Sequence, residues 1–431
     1  MSVEFTVCLL VVFTMAALGA PVAISMIIGA IAYLGLSGQD IALAGEQIIQ
    51  GVYNSFILLA VPLFIVAANI MNAGSISDRL LQFCVALVGH LRGGLGHVNV
   101  LSSLIFSGMS GSAVADAAGI GKVIIGMMTK DGRYTPGYAA ALTAASATIG
   151  PIIPPSIPMV IFALVSDASI GYLFIAGLVP GLFMGLVLML LNRYQSARLN
   201  VAVEPRTPLR ALPMITWRAF PTLMMPVILL YGIYGGVTTP TEAAAVAASY
   251  ALFLAAVVYR TISIRELIRV FRESAISSAS VGLVISAALI FNYIVATEGL
   301  PSQIADLLTR WNLTPLEFLL MVNLIYLILG CVLDATTVIL VVVPLLIPAC
   351  RELGVDIVHF GIITMVNLMI GLITPPYGIL LFVINGTTGI PIAQIIRQIL
   401  PFLGVLVLAL LIMTAFPDLV LFVPRLFGYP G

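Results

Sequence analysis

Apolar runs of the length needed to cross a bilayer, roughly 20 residues, recur along the chain around 52–72, 172–191, 216–235, 240–259, 274–295, 314–331 and 391–415. They predict an all-α polytopic membrane protein. The pattern is interrupted twice, in matching ways. A polar, Gly-rich stretch, SGMSGSAVAD at 107–116, is followed about 40 residues later by TIGPIIPPSIP at 148–158. In the second half GCVLDATT at 330–337 is followed at nearly the same distance by LITPPYG at 372–378. Each polar stretch breaks an apolar hairpin, 93–129 or 314–350, and each Pro-Pro stretch breaks a helix, 136–168 or 357–386. A more polar, amphipathic segment, 75–92 or 299–312, precedes each hairpin. Residues 4–37 read as one kinked helix or as two short ones around Gly19-Ala20-Pro21. A signal peptide would begin with a basic n-region; this chain has Glu4 and no Lys or Arg before Arg79, so a mature first helix is expected.

Composition removes the soluble alternative. Of 431 residues 61% are hydrophobic and 8% charged, against about 25% charged in a soluble domain. With 18 basic and 18 acidic residues there is no electrostatic case for nucleic acid. Charge placement is more informative than the total. Arg193, Arg198, Arg206, Arg210 and Arg218 form one basic stretch, and Arg260, Arg265, Arg269 and Arg272 another. The positive-inside rule makes both cytoplasmic, with an out-and-back pair of spans, 216–235 and 240–259, between them. The first stretch, carrying Pro205, Pro208 and Pro213, predicts a linker at 193–215 that separates a repeat over 1–192 from one over 216–431. Counting crossings from that linker puts the entrance of hairpin 93–129 inside, with Lys130 and Arg133, and the entrance of hairpin 314–350 outside. The two repeats are therefore expected to be inverted, each with a re-entrant helical hairpin and a discontinuous helix, as in many secondary transporters.

Irregular backbone at membrane depth is tolerated only where it lines a cavity or is buried in protein. Broken helices free carbonyls and N–H groups, and Ser and Thr hydroxyls add oxygens; such a site suits a small hard cation such as Na⁺. Exposed helix N-termini favour the carboxylates of a substrate. The candidate residues are Ser110, Gly111 and Ser112 at the first tip, with Thr148, Gly150, Pro154, Pro155 and Ser156 at its break. The second set is Asp334, Thr336 and Thr337, with Asn367, Gly371, Thr374, Pro375 and Pro376. The Na⁺ ligands are expected at Ser110, Ser112, Gly150, Thr336, Gly371 and Thr374. One such motif reads equally well as a kink with close-packing small residues; two matched pairs at matched spacing favour a site. Asp334 either neutralises a cation or caps the second arm. Asp116, a turn beyond Ser112, is a weaker candidate because a helix's first turn favours acids anyway. Thr239-Pro240-Thr241-Glu242 fits a capping box, which accounts for Glu242. The cysteines and histidines are scattered without metal-ligand spacing, and no Walker A sequence or catalytic elbow is present, so neither ATP hydrolysis nor an enzyme is expected.

At these residues the chain resembles a known family. PLFIVAANIM (62–71), SGSAVADAAGIG (110–121), PPSIPMVIF (154–162), TPTEAAAVAASYAL (239–252) and HFGIITMVNLMIGLITPPYGILLF (359–382) are similar to the large membrane subunit, the DctM-like M subunit, of the tripartite ATP-independent periplasmic (TRAP) transporters. The resemblance covers nearly the whole chain. It implies an elevator carrier of the bacterial inner membrane, driven by a Na⁺ gradient. It also implies a small four-helix membrane subunit and a soluble periplasmic protein that delivers an organic acid such as a C4-dicarboxylate or sialic acid. The ion and substrate region would fall on the two tips and two Pro-Pro breaks. One departure is visible: where the family's first hairpin has a proline before its final methionine, this chain reads Gly126-Met127-Met128. No further four spans precede Met1, so the small subunit is expected as a separate polypeptide. In such a carrier Na⁺ would order the tips and complete a carboxylate site, and the hairpin-bearing bundle would slide against a scaffold formed by 172–191, 216–259 and 391–415. A self-sufficient Na⁺/anion symporter and a scaffold subunit with no translocation path are the competing readings.

Overall fold

The computed structural model describes residues 2–53, 56–73, 76–199 and 204–431, and among them every regular element is a helix. Positions 54–55 of the first expected span, position 75 of the amphipathic segment and 200–203 of the linker lie outside the described residues. Eight helices among those described are long and apolar enough to cross a membrane: Phe56–Ala73, Ile170–Arg198, Leu212–Tyr234, Pro240–Val258, Ile264–Thr297, Pro315–Val332, Ala335–Glu352 and Ile392–Ala415. Two of these, Pro315–Val332 and Ala335–Glu352, are the arms of the second hairpin, so length alone does not distinguish a hairpin arm from a span.

Local chemistry sets the boundaries. Thr239 and Glu242 form the expected capping box, Glu242 N donating to Thr239 Oγ1 at 3.3 Å and Thr239 N to Glu242 Oε2 at 2.7 Å. The same device, Ser263 with Glu266, starts the helix Ile264–Thr297 ten residues earlier than the hydropathy predicts. Arg265, Arg269 and Arg272 therefore occupy its first turns, and its 34 residues extend about 50 Å, beyond the roughly 30 Å hydrocarbon core.

The N-terminal alternative resolves into two short helices, Val3–Ala17 and Val22–Leu36, folded against each other. Gly29 permits the approach, since a Cβ there would stand 3.0 Å from the Cys8 carbonyl oxygen. Glu298 ties the pair down, accepting from Ser2 N (3.0 Å), Ser2 Oγ (2.6 Å) and Tyr33 OH (2.8 Å). The Ser2 donors, more than the Tyr33 one, hold its carboxyl below the usual carboxylate range.

Two helices of the expected scaffold lie on the broken helices. Ile170–Leu199 lies on Ile357–Gly371, and Ile392–Ala415 lies on Pro136–Ala147, so each half's broken helix is covered by the other half. Two glycines allow these approaches: a Cβ at Gly361 would meet the Leu173 side chain at 2.9 Å, and one at Gly137 the Gln394 carbonyl oxygen at 3.0 Å. The helix Ile170–Leu199 also turns a glycine face to the break and hairpin of its own half. A Cβ at Gly177 would meet the Ile152 carbonyl oxygen at 2.1 Å, one at Gly181 the Ile153 side chain at 2.4 Å and one at Gly185 the Leu104 side chain at 2.7 Å. Apart from this core, Phe56–Ala73 packs on Pro240–Phe253 and on Ile264–Thr297, and Leu212–Tyr234 on Pro240–Phe253.

The helix Ile170–Leu199 also locates the hairpin mouths. Near its C-terminus Asn192 Nδ2 donates to Gly93 O at 3.0 Å, at the entrance of the first hairpin. Near its N-terminus Tyr172 packs against Tyr429 with ring centroids 4.7 Å apart, and Tyr429 OH donates to Asp356 Oδ2 at 2.8 Å, just beyond the second hairpin. Tyr172 and Asn192 are about 30 Å apart along the helix at 1.5 Å per residue. The linker lies with the first mouth, where Glu204 N donates to Gly89 O at 3.2 Å and Glu204 pairs with Arg133.

Candidate ion and substrate site

The first hairpin rises as Gly94–Ser110, turns at Gly111 and returns as Ala113–Ala118 and Ile120–Thr129. Gly111 is left-handed (φ 60°) and sits directly on the Pro-Pro break: a Cβ there would lie 2.4 Å from the Pro155 carbonyl oxygen. Ser112 caps the returning arm by accepting from Ala115 N at 3.4 Å. The break runs from Thr148 to Ser156 between Pro136–Ala147 and Ile157–Ser166, and it is buried throughout. Its Pro154-Pro155 bond is cis. Ser156 caps the outgoing helix, accepting from Met159 N at 3.3 Å while its hydroxyl donates to Pro151 O. The Thr148 hydroxyl is turned back to Ala145 O at 2.6 Å.

Asp116, the weaker of the two acidic candidates, lies beneath the first tip. It is 1% exposed, one oxygen accepts from the Ser110 hydroxyl, and Oδ2 is buried with no partner among the described residues. That free oxygen faces Gly150: a Cβ on Gly150 would be 2.5 Å from it, 3.1 Å from Ala147 O and 3.4 Å from Ala113 N. The absent side chain thus lets the Asp116 carboxyl pack against the Gly150 backbone, beside the Ala147 carbonyl, which accepts from Gly150 N at 3.0 Å. The available signal was an acid inside an apolar hairpin, a functional candidate by default.

The second junction shares the plan. Pro315–Val332 ends at an extended Leu333, and Asp334 caps Ala335–Glu352, accepting from Thr337 N at 3.1 Å and Thr337 Oγ1 at 2.5 Å. Of the two roles open to Asp334, the cap is the one observed. Tip meets break through glycine on glycine, a Cβ at Gly371 falling 2.7 Å from Gly330 Cα. Cys331 Sγ stands 3.5 Å from Thr374 O, and the Thr374 hydroxyl is bonded to Ile370 O at 2.8 Å. Pro375-Pro376 is also cis, and a left-handed Gly378 opens Ile379–Thr388. Unlike the first break this one is partly open: Asp334 and Pro376 are exposed, Thr336, Thr374 and Pro375 half-buried.

In each half a buried amide fastens the rising hairpin arm to its broken helix. Asn99 donates to Thr143 Oγ1 at 2.7 Å and accepts from Ser146 Oγ at 2.9 Å. In the second half Asn367 donates to Asn323 Oδ1 at 3.0 Å, and Asn323 to Thr414 Oγ1 at 2.9 Å. Asn367 therefore braces the arm, and Asn99 and Asn323 were missed because asparagine in an apolar helix reads as an isolated polar residue. The halves interlock further: Ile157–Ser166 packs on Ala335–Glu352, and Ile379–Thr388 on Ala113–Ala118.

The family described as tripartite ATP-independent periplasmic transporter, DctM component, matches residues 9–419. The chain belongs to that family. It is 42% identical over 413 residues to the sialic acid TRAP transporter large permease protein SiaM of Vibrio cholerae, an alignment covering 95% of this chain and 96% of that one. It is 40% identical over 373 residues to the C4-dicarboxylate TRAP transporter large permease protein DctM of Pseudomonas aeruginosa, covering 86% and 87%. Among solved structures, that of the Alcanivorax borkumensis YdaH transporter, described as having an unusual topology, superposes with a TM-score of 0.62 over 89% of this chain and 88% of that one; at 16% identity the likeness is one of fold. This TRAP family member is thus a transport permease, not an enzyme, a multi-pass protein of the bacterial inner membrane and the large membrane component of a tripartite system.

Proposed function

We propose that this TRAP permease takes up an organic acid with Na⁺ as the coupling ion, the acid being delivered by a periplasmic binding protein and the permease working beside a small membrane subunit. The observation that carries this reading is the first junction, where the free oxygen of buried Asp116 faces side-chain-free Gly150 next to the Ser110 hydroxyl. A buried carboxylate left unpaired costs several kcal/mol, and a hard cation held by oxygens removes that cost. Ser110, Ser112 and Gly150 are the expected ligands, with Asp116 added; Thr336, Gly371 and Thr374 offer the corresponding oxygens at the second junction. The helix starting after Ser156 and the one starting after Gly378 present N-terminal N–H groups suited to a substrate carboxylate. The relatives named for sialic acid and C4-dicarboxylate both handle carboxylates, which supports that class.

The motion we propose is an elevator between two inverted repeats, 1–192 and 216–431. The moving body comprises both hairpins, both broken helices and the two helices packed on them, Ile170–Leu199 and Ile392–Ala415. The amide ties at Asn99 and Asn323 favour displacement of each hairpin together with its broken helix. The static frame is built from Phe56–Ala73, Leu212–Tyr234, Pro240–Val258 and Ile264–Thr297.

The test is uptake of labelled sialic acid and C4-dicarboxylates into proteoliposomes containing the permease and its small subunit, with the periplasmic protein outside. Uptake is expected to require an inward Na⁺ gradient; equal uptake with K⁺ alone overturns the coupling. Uptake that proceeds without the periplasmic protein would favour the self-sufficient symporter.

A further inference from the structure

We infer that the mouth of the first hairpin carries a binding site for an anionic phospholipid, its phosphate held between Arg92 and Arg193. A cavity of about 290 Å³ opens there, lined by Leu91, Arg92, His97, Met189, Leu190 and Arg193. Each of the two arginines is next in sequence to one side of a buried joint. Asn192 Nδ2 donates to Gly93 O at 3.0 Å, and Asn192 Oδ1 accepts from Tyr138 OH at 3.0 Å and Ser196 Oγ at 3.2 Å. Two glycines make the joint possible: a Cβ at left-handed Gly93 would lie 2.8 Å from Asn192 Nδ2, and one at Gly96 2.1 Å from its Oδ1. His97 Nε2 lies 3.0 Å from Arg92 O and fixes the same turn.

Both arginines are exposed, and neither has a carboxylate partner among the described residues. Two guanidinium groups on one rigid joint repel each other unless an anion lies between them, and their planar forks match phosphate oxygens. The surroundings select a lipid over a soluble anion. Leu182, Leu186 and Leu190, successive turns of one helix face, are 58%, 53% and 56% exposed, forming an apolar track from the cavity along Ile170–Leu199 on which an acyl chain can lie. The cavity shares its end of the molecule with the basic linker, the end the positive-inside rule assigns to the cytoplasm, where leaflets are anionic and basic pockets between helices bind lipid headgroups.

The experiment is thermal unfolding of the full chain in detergent with added dioleoyl phosphatidylglycerol, dioleoyl phosphatidylcholine or sodium phosphate. Phosphatidylglycerol alone is expected to raise Tm. The double variant Arg92→Gln/Arg193→Gln should need about tenfold more of it for the same shift, whereas Arg206→Gln/Arg210→Gln, which removes equal charge from the linker, should respond as the unsubstituted protein does. Should the first double variant not fold, Leu190→Glu, which keeps both arginines and places a carboxylate beside them, should also lose the shift. An equal response to phosphatidylcholine or to phosphate, or a shift retained in Arg92→Gln/Arg193→Gln or in Leu190→Glu, overturns the proposal.

Discussion

At the first junction Asp116 is 1% exposed and one of its oxygens has no partner, whereas at the second Asp334 is exposed and both its oxygens are engaged by Thr337. The two acids differ by a few positions relative to their tips. Asp334 is the N-cap itself, so the first turn satisfies it; Asp116 comes four residues after the cap Ser112, so its side chain reaches beneath the tip toward Gly150. One plan thus yields an acid with an unpartnered buried oxygen in one half and a closed cap in the other. Under the proposed Na⁺ coupling, the first junction would act through its carboxyl and the second through backbone and hydroxyl oxygens.

The sharpest way to break that comparison is to neutralise each acid. Asp116→Asn should weaken Na⁺ dependence of uptake by roughly 30- to 150-fold, as for loss of a charge-assisted interaction of about 2–3 kcal/mol. Asp334→Asn keeps an equally good cap and should leave the Na⁺ dependence within a few-fold. If Asp334→Asn had the larger effect on the half-saturating Na⁺ concentration, the assignment would be reversed.

Adding a methyl group probes the two contacts themselves. Gly371→Ala forces a Cβ to 2.7 Å from backbone atoms of Gly330 and should lower unfolding stability by about 1–3 kcal/mol. At Gly150 the nearest atom is the movable Asp116 carboxylate, so Gly150→Ala should cost less stability and raise the Na⁺ requirement more. Parallel melting and uptake measurements separate these outcomes. Next in size is Ser112→Ala, which removes the cap of the returning arm and should cost about 1 kcal/mol; a change under a third of that in melting experiments would mean the tip is held by its seat on Pro155 alone.

The smallest effect lies outside both junctions and serves as a control. Because Ser2 and Tyr33 depress the folded-state pKa of Glu298, the tether it forms is fully present above the ordinary Glu pKa and lost as pH falls through the depressed value. Hydrogen exchange in Val3–Ala17 should therefore quicken only below about pH 4, with no matching change at either tip. Quickening at neutral pH would show that Glu298 does not hold this helix.

Much of the molecule was legible in the chain. Spans follow from apolar run length, and hairpin tips and breaks from glycine, serine and proline at membrane depth. The Glu242 cap follows from a four-residue signature, because each of these signals acts over a few neighbouring residues. Arginine placement predicts the side on which the first hairpin opens, and Glu204 and Asn192 hold the linker and the adjoining helix end at that mouth. Tertiary structure alone decided that Asp116 is stranded opposite Gly150, since its isolation depends on a break over 30 residues away. It also decided that Ile170–Leu199 and Ile392–Ala415 cover the opposite broken helices, because Gly361 and Gly137 become contact points only against Leu173 and Gln394, brought up from the other half. Sequence determined where this chain would break; the distance between broken parts, set by residues without side chains, decided which break faces a buried acid with an unpartnered oxygen.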